Sequence, residues 1–128
     1  MGDDRSGNFM KTGAVGEKIA ESYLKRAGYE IIERNFRCKK GEIDLIVKKG
    51  NIIVFVEVKT RNTLKYGFPV EAITKEKVRH IKKTAYLYII SSGVLGKTQA
   101  DGVDFRFDVI EVLKYKNKDY IRYNKNVF

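Results

Sequence analysis

Gly41-Glu42-Ile43-Asp44-Leu45-Ile46-Val47-Lys48-Lys49-Gly50-Asn51-Ile52-Ile53-Val54-Phe55-Val56-Glu57-Val58-Lys59 is the stretch whose reading decides the fold. Two runs rich in β-branched residues flank a Gly50-Asn51 pair suited to a two-residue hairpin turn. With that turn Lys49 faces Ile52, and counting back along both strands sets Asp44 opposite Glu57. Lys59, two residues on, points to the same face. Carboxylates opposed across a ladder repel each other, so a positive group is expected beside them. A divalent metal ion with Lys59 alongside meets that need. The other face, made of Ile43, Leu45, Val47, Ile52, Val54, Val56 and Val58, is aliphatic and suits packing on a helix. Ile46, Ile53 and Phe55 share the charged face, so the charges border apolar surroundings, where carboxylate pKa values and metal affinity are tuned. A lone Glu-x-Lys reads as an ordinary exposed strand pair. Here the Asp, the turn and the Val-rich frame come as a set.

Outward from this hairpin, Thr12 is placed to cap a helix running to about Ala27, with Gly28 as its stop and Ile19, Ala20, Tyr23, Leu24 and Ala27 as one apolar stripe. Residues 29–36 read as a first strand. Residues 60–73 read as a loop that holds the sole proline, Pro69, and the aromatics Tyr66 and Phe68 around Gly67; a loop of this length beside a candidate site is expected to touch a ligand. Thr74 caps a second helix, with Ile73 and Val78 as a hydrophobic staple and Val78, Ile81, Ala85 and Tyr88 as its buried face. Residues 104–112 alternate like a strand, and 120–123 pair with it through a turn at 117–119. The long connection from Lys59 to Asp104 lets that strand lie parallel to the third in a right-handed crossover. The expected architecture is α/β, a mixed central sheet flanked by helices. The polar, glycine-containing start is expected to be disordered through residue 10, with a single domain over 11–128, and Met10 is an alternative start to Met1.

At 128 residues with an apolar share of 43%, the chain suits one core without disulfides or structural metal. Lys and Arg exceed Asp and Glu by 26 to 16, a net charge of +10 that implies a polyanionic partner. A single cysteine, Cys38, excludes an internal disulfide and a Cys-based zinc site and fits a reducing cytoplasm. No apolar run approaches membrane-spanning length. Lys75, Lys77, Arg79, His80, Lys82 and Lys83 crowd the start of the second helix, where cations oppose the helix dipole. Phosphate contact explains that placement; a merely solvated face is the alternative. For His80 a phosphate or solvent contact is a better reading than a metal role.

Gly13-Ala14-Val15-Gly16-Glu17 with Ala20 and Leu24, Gly41 to Ile46, Val54 to Arg61, Gly67-Phe68-Pro69-Val70-Glu71-Ala72-Ile73 and Arg106-Phe107-Asp108-Val109, in this order, resemble the bacterial YraN-like proteins. That group lies in the PD-(D/E)XK nuclease superfamily and is similar to archaeal Holliday junction resolvases. The resemblance implies the restriction-endonuclease-like fold in αβββαβ order. It also implies Asp44 and Glu57 as metal ligands with the Val58 backbone carbonyl, Lys59 as the superfamily lysine, and Glu17 as the first-helix glutamate of the resolvase branch. Ile43 stands where the signature has proline, at a position that varies widely. The implied reaction is phosphodiester hydrolysis, for which Mg²⁺ or Mn²⁺ held by carboxylates suits the charge of the phosphate. Lys59 would orient or deprotonate the water, and Glu17 would reach the metal through a water. Arg61 is a candidate phosphate ligand, Asp108 a structural residue, and Glu71 a family position without an assigned role. Similarity to the resolvases further implies a homodimer that prefers branched DNA.

Three readings follow. The first is a metal-dependent DNA endonuclease. The second is a nucleic-acid-binding module of the same fold with weak or no cleavage. The third is a partner-binding protein whose carboxylates serve a core network. The complete set of Glu17, Asp44, Glu57 and Lys59 favours the first over the second, and the net charge of +10 disfavours the third.

Overall fold

The computed structural model describes residues 3–61, 74–93 and 102–128, with side chains over 14–60 and the two later stretches. Its elements are α1 (Asp3–Arg26), β1 (Glu30–Cys38), β2 (Gly41–Lys49), β3 (Ile52–Arg61), α2 (Lys75–Ser92), β4 (Asp104–Tyr115) and β5 (Lys118–Asn124). The strands form one five-stranded sheet in the order β1-β2-β3-β4-β5. β3 and β4 pair in parallel, and the other neighbours are antiparallel. The chain therefore has the expected α/β, αβββαβ order with a mixed sheet, extended by a fifth strand. Among the described residues no helix is long and apolar enough to cross a membrane.

Several boundaries differ from the sequence reading. α1 begins at Asp3, so Thr12 lies inside the helix instead of capping it. At its other end Gly28, at φ 94°, closes the helix with Gly28 N–H donating to Lys25 O and Tyr29 N–H to Leu24 O. This pair of bonds satisfies the last carbonyls, and Tyr29 and Leu24 enter the same core cluster. β4 and β5 turn at Lys116 and Asn117, both at positive φ, rather than at 117–119. The loop with Tyr66, Phe68 and Pro69, and Ile73 of the expected staple, lie outside the described residues.

Each face of the sheet has its own core. Under α1, Ala20 and Leu24 pack on Leu45, Val47, Val54, Val56, Ile110 and Val112. Under α2, Ala85 and Tyr88 pack with Ile43, Ile46, Ile53 and Phe55. Phe55 stacks on Phe105 and Phe107 and meets the edge of Tyr88, which also meets Phe36 edge-on. Thr74 caps α2 by accepting from Lys77 N–H, and Gly93 ends it at φ 70°.

Ile43 is a correction to the expected aliphatic face, because it lies under α2 rather than with Leu45 and Val47 under α1. Strict alternation would keep the three together. The step is broken at Asp44. On the neighbouring strand Asn35, which the register sets opposite Asp44 between Arg34↔Leu45 and Phe36↔Ile43, has φ 52°. The paired β2–β3 register ends at Leu45↔Val56. One irregularity thus turns the sheet where the charges sit.

The fit of α1 to this edge depends on Gly16, where a Cβ would overlap Thr60 Oγ1. We expect Gly16→Ala to destabilise the protein by about 1–3 kcal/mol through overpacking. Adding Thr60→Ala should restore part of that loss in chemical unfolding, because the two changes share one contact.

Candidate active site

Asp44, Glu57, Glu17 and Glu42 come from three elements to the broken end of the β2–β3 pair. The β2–β3 pairing stops at Leu45↔Val56, one residue short of the Asp44–Glu57 opposition that the hairpin count expected. Asp44 Oδ2 accepts from Val58 N–H at 2.8 Å, so its carboxylate is fixed toward β3. The N–H and C=O of one strand residue leave by the same edge. The Val58 carbonyl is therefore directed to the side that Asp44 occupies.

Burial pushes the Asp44 carboxyl up to about 6, opposed by the Val58 N–H and reinforced by the negative charges of Glu17, Glu57 and Glu42. Burial raises Glu17 as well, against a hydrogen bond from Asn35. With its amide nitrogen turned inward, Asn35 donates to Glu17 Oε1 at 3.3 Å and Glu42 Oε1 at 3.1 Å. Arg37 adds a contact to Glu42 Oε1 at 3.2 Å. On the other flank Lys77 Nζ lies 2.9 Å from Glu57 Oε1. Glu57 Oε2 is buried with no hydrogen-bond partner. Beside it lies a cavity of about 10 Å³, lined among others by Ile43, Phe55, Ile81 and Phe128, with room for about one water.

Lys59 follows Glu57 on the same face of β3 and pairs with Glu111 in the parallel β3–β4 register. Glu111 is buried and held by Arg122 at 3.1 Å and Asn124 at 3.1 Å. Sequence reasoning missed Glu111, because only the parallel register brings it to Lys59. Glu42 and Asn35 were missed as well; the one available signal was an asparagine in a strand, a residue that tolerates left-handed backbone. Asp108 lies in the core under α1, where it receives Arg106, Tyr123 Oη and Asn126 N–H. The Arg106 guanidinium also reaches Tyr29 Oη at 2.7 Å. Asp108 thus ties β4, β5 and the C-terminal residues together.

The basic helix divides. Lys75, Arg79, Lys82 and Lys83 are exposed and, by the helical repeat, share the side turned from buried Thr84, Ala85 and Tyr88. Lys77 departs from that group by its contact with Glu57. Arg61 ends β3, and its side chain and Glu71 lie outside the described residues.

Among the described residues no three of His, Cys, Asp and Glu lie close enough together to hold a metal ion. The donors available to a hard cation are the Asp44 and Glu57 carboxylates, one with an unpartnered buried oxygen, and the Val58 carbonyl. Mg²⁺ is held in this way, by one or two carboxylates with water filling the remaining positions. The donor chemistry therefore fits such an ion.

A family model described as "Uncharacterised protein family UPF0102" matches residues 16–112. It corresponds to the YraN-like, PD-(D/E)XK-like nuclease group whose motifs are quoted above. A UPF0102 protein of Clostridium botulinum is 53% identical over 118 residues, covering 91% of this chain and 92% of that one. One from Caldicellulosiruptor saccharolyticus is 46% identical over 123 residues, covering 94% and 99%. Among solved structures, Pyrococcus furiosus SfsA in complex with Ca²⁺ aligns with a TM-score of 0.40 at 18% identity. That alignment covers 91% of this chain and 63% of SfsA, so the chain spans less than two thirds of that protein.

The raised Asp44 pKa has a definite sign in stability. The folded state holds this proton more tightly than the unfolded one, so ionising Asp44 costs stability, a cost absent below the ordinary 3.8 and full above about 6. At ~1.4 kcal/mol per unit the cost is on the order of 2–3 kcal/mol. Asp44→Asn, which can still accept from Val58, should therefore raise the melting temperature near pH 7.5 in chelator and leave it unchanged near pH 3.5. An equal gain at both values would remove charge burial as the cause.

Proposed function

The chain belongs to the UPF0102 family, and from that premise we propose that it is a metal-dependent DNA endonuclease whose centre is Asp44, Glu57 and the Val58 carbonyl. The observation that carries this reading is the buried, unpartnered Glu57 Oε2 beside a carboxyl raised by burial and, less, by its acidic neighbours. Such a site holds a buried carboxylate oxygen without a hydrogen-bond partner, and a hard divalent ion, Mg²⁺ or Mn²⁺, would take it as a ligand. When bound, that ion compensates charge on the phosphate and acidifies a water.

The chain's own residues do the remainder. Lys59 places a compact cation at the reacting phosphate and orients the attacking water or, as the neutral amine, takes its proton. Glu17, held by Asn35 on the α1 side, steadies water at the acidic edge. Lys77 holds Glu57 Oε1 in place and leaves Oε2 directed inward. Lys75, Arg79, Lys82 and Lys83, with Arg61, supply phosphate contacts along the DNA backbone. A homodimer acting on branched DNA in the cytoplasm completes the proposal, on the likeness to junction resolvases.

A second reading rests on the same contact. Lys77 neutralises Glu57, and no three-residue metal cluster occurs among the described residues. Both features suit a module that binds nucleic acid through its basic surface without cutting it.

Titration calorimetry separates the two. The parent protein is expected to bind Mn²⁺ or Mg²⁺, and Asp44→Ala and Glu57→Ala are each expected to abolish binding, since one carboxylate is too few. Unaltered binding in both variants would defeat the centre; no binding by the parent would leave the second reading. On branched, flapped and linear DNA with Mn²⁺, Lys59→Ala should keep metal and DNA affinity and lose cleavage at least ~100-fold, the scale of a lost acid–base group. Parental cleavage by that variant would remove Lys59 from the chemistry.

A further inference from the structure

One exposed face of α2 holds more than cations. Lys75, Arg79, Lys82, Lys83, Tyr86 and Ile90 fall at i, i+4, i+7, i+8, i+11 and i+15, which is a single stripe of a helix, and all six are exposed. Tyr86 is 62% exposed and Ile90 56%, unusual for large apolar side chains on a helix whose opposite side is buried. The stripe starts in the turn where Lys77 reaches Glu57, so it leads away from the acidic centre. Glu76 is the one acidic residue of the helix.

From these observations we propose that this stripe is a track for single-stranded nucleic acid, with Tyr86 as its stacking platform. The proposal deepens the function given above by naming the strand form that the basic surface takes. Phosphates of a duplex need only positive charge, whereas an unpaired base offers a π-face that an exposed ring can cover. A tyrosine one turn beyond Lys82 and Lys83 provides that ring where the cations hold the backbone. From Lys75 to Tyr86 the helix rises ~16 Å, a track that spans a few nucleotides of an unpaired strand. Cations at a helix start oppose its dipole, so the stripe's composition is costly to the helix itself. The positive charge favours a polyanion over a second copy of this chain, whose own stripe would repel it.

The test is fluorescence anisotropy with a labelled oligo-dT and a blunt duplex, in chelator and in an Asp44→Ala background, so that neither metal binding nor cleavage enters. Tyr86→Ala should weaken oligo-dT binding about 10-fold or more and leave the duplex within about 2-fold, and Tyr86→Phe should restore the single-strand affinity. Arg79→Ala with Lys82→Ala should flatten the log–log salt slope on oligo-dT by roughly 1.4. Because these arms hold whether or not Asp44 and Glu57 bind metal, a failed centre leaves the track standing. Equal losses on both DNAs, or none, would overturn it. So would Tyr86-dependent binding to phosphatidylserine vesicles with oligo-dT unaffected, which would assign the face to a lipid surface. A Tyr86- and Ile90-dependent dimer by sedimentation with unaltered oligo-dT affinity would overturn it in favour of a self-contact.

Discussion

Mutual repulsion among Asp44, Glu57, Glu17 and Glu42 is the constraint around which the rest of the edge is built. Taking a carboxylate out of water disfavours its charge, and like charges nearby disfavour it further. Each of these groups is answered from an element other than its own. Val58 N–H bonds Asp44, Asn35 bonds Glu17 and Glu42, Arg37 bonds Glu42, and Lys77 of α2 meets Glu57. The compensation is incomplete on the inner side of Glu57, where one oxygen has no partner.

Bringing these groups together requires the sheet to break its own alternation. Ile43 and Leu45 fall under different helices because Asn35 adopts left-handed backbone opposite Asp44. A regular strand would give Asp44 entirely to one face. The break instead lets its carboxylate lie along the sheet against Val58. Gly16 completes the arrangement by letting α1 settle on Thr60, which seats Glu17, the next residue, near Asp44 and Glu42. A left-handed backbone at Asn35 and a missing side chain at Gly16 therefore set the geometry of charges elsewhere.

The two faces differ in how they are held. Under α1 the packing is aliphatic, closed at the β4 and β5 side by the buried Asp108 network with Arg106, Tyr29 and Tyr123. Under α2 it is aromatic, with Phe36, Phe55, Phe105, Phe107 and Tyr88 in contact. α2 thus lies on large rings with its Lys77 over the acidic edge and its Lys75 to Ile90 stripe outward. One helix connects the centre to the outer surface.

Local chemistry carried much of this fold. The β2–β3 turn, the Lys49↔Ile52 register, the Thr74 cap and the Gly28 stop follow from rules that act over a few residues, and the sequence displays them openly. The same turn brings Asp44 to the end of β3 that carries Glu57 and Val58, although the paired register stops at Leu45↔Val56. The start of α1 and the place of Ile43 were not legible: the first depends on preferences too weak to read from composition, the second on a left-handed residue in the adjacent strand. Glu111 beside Lys59 and Lys77 on Glu57 lay further still from view. They join residues far apart in the chain through a parallel pairing and a helix packed on rings, and contacts of that kind leave no local pattern. The sequence determined which charges the hairpin would bring to one end of the sheet; tertiary packing decided which cations answer them and left Glu57 Oε2 without a hydrogen-bond partner.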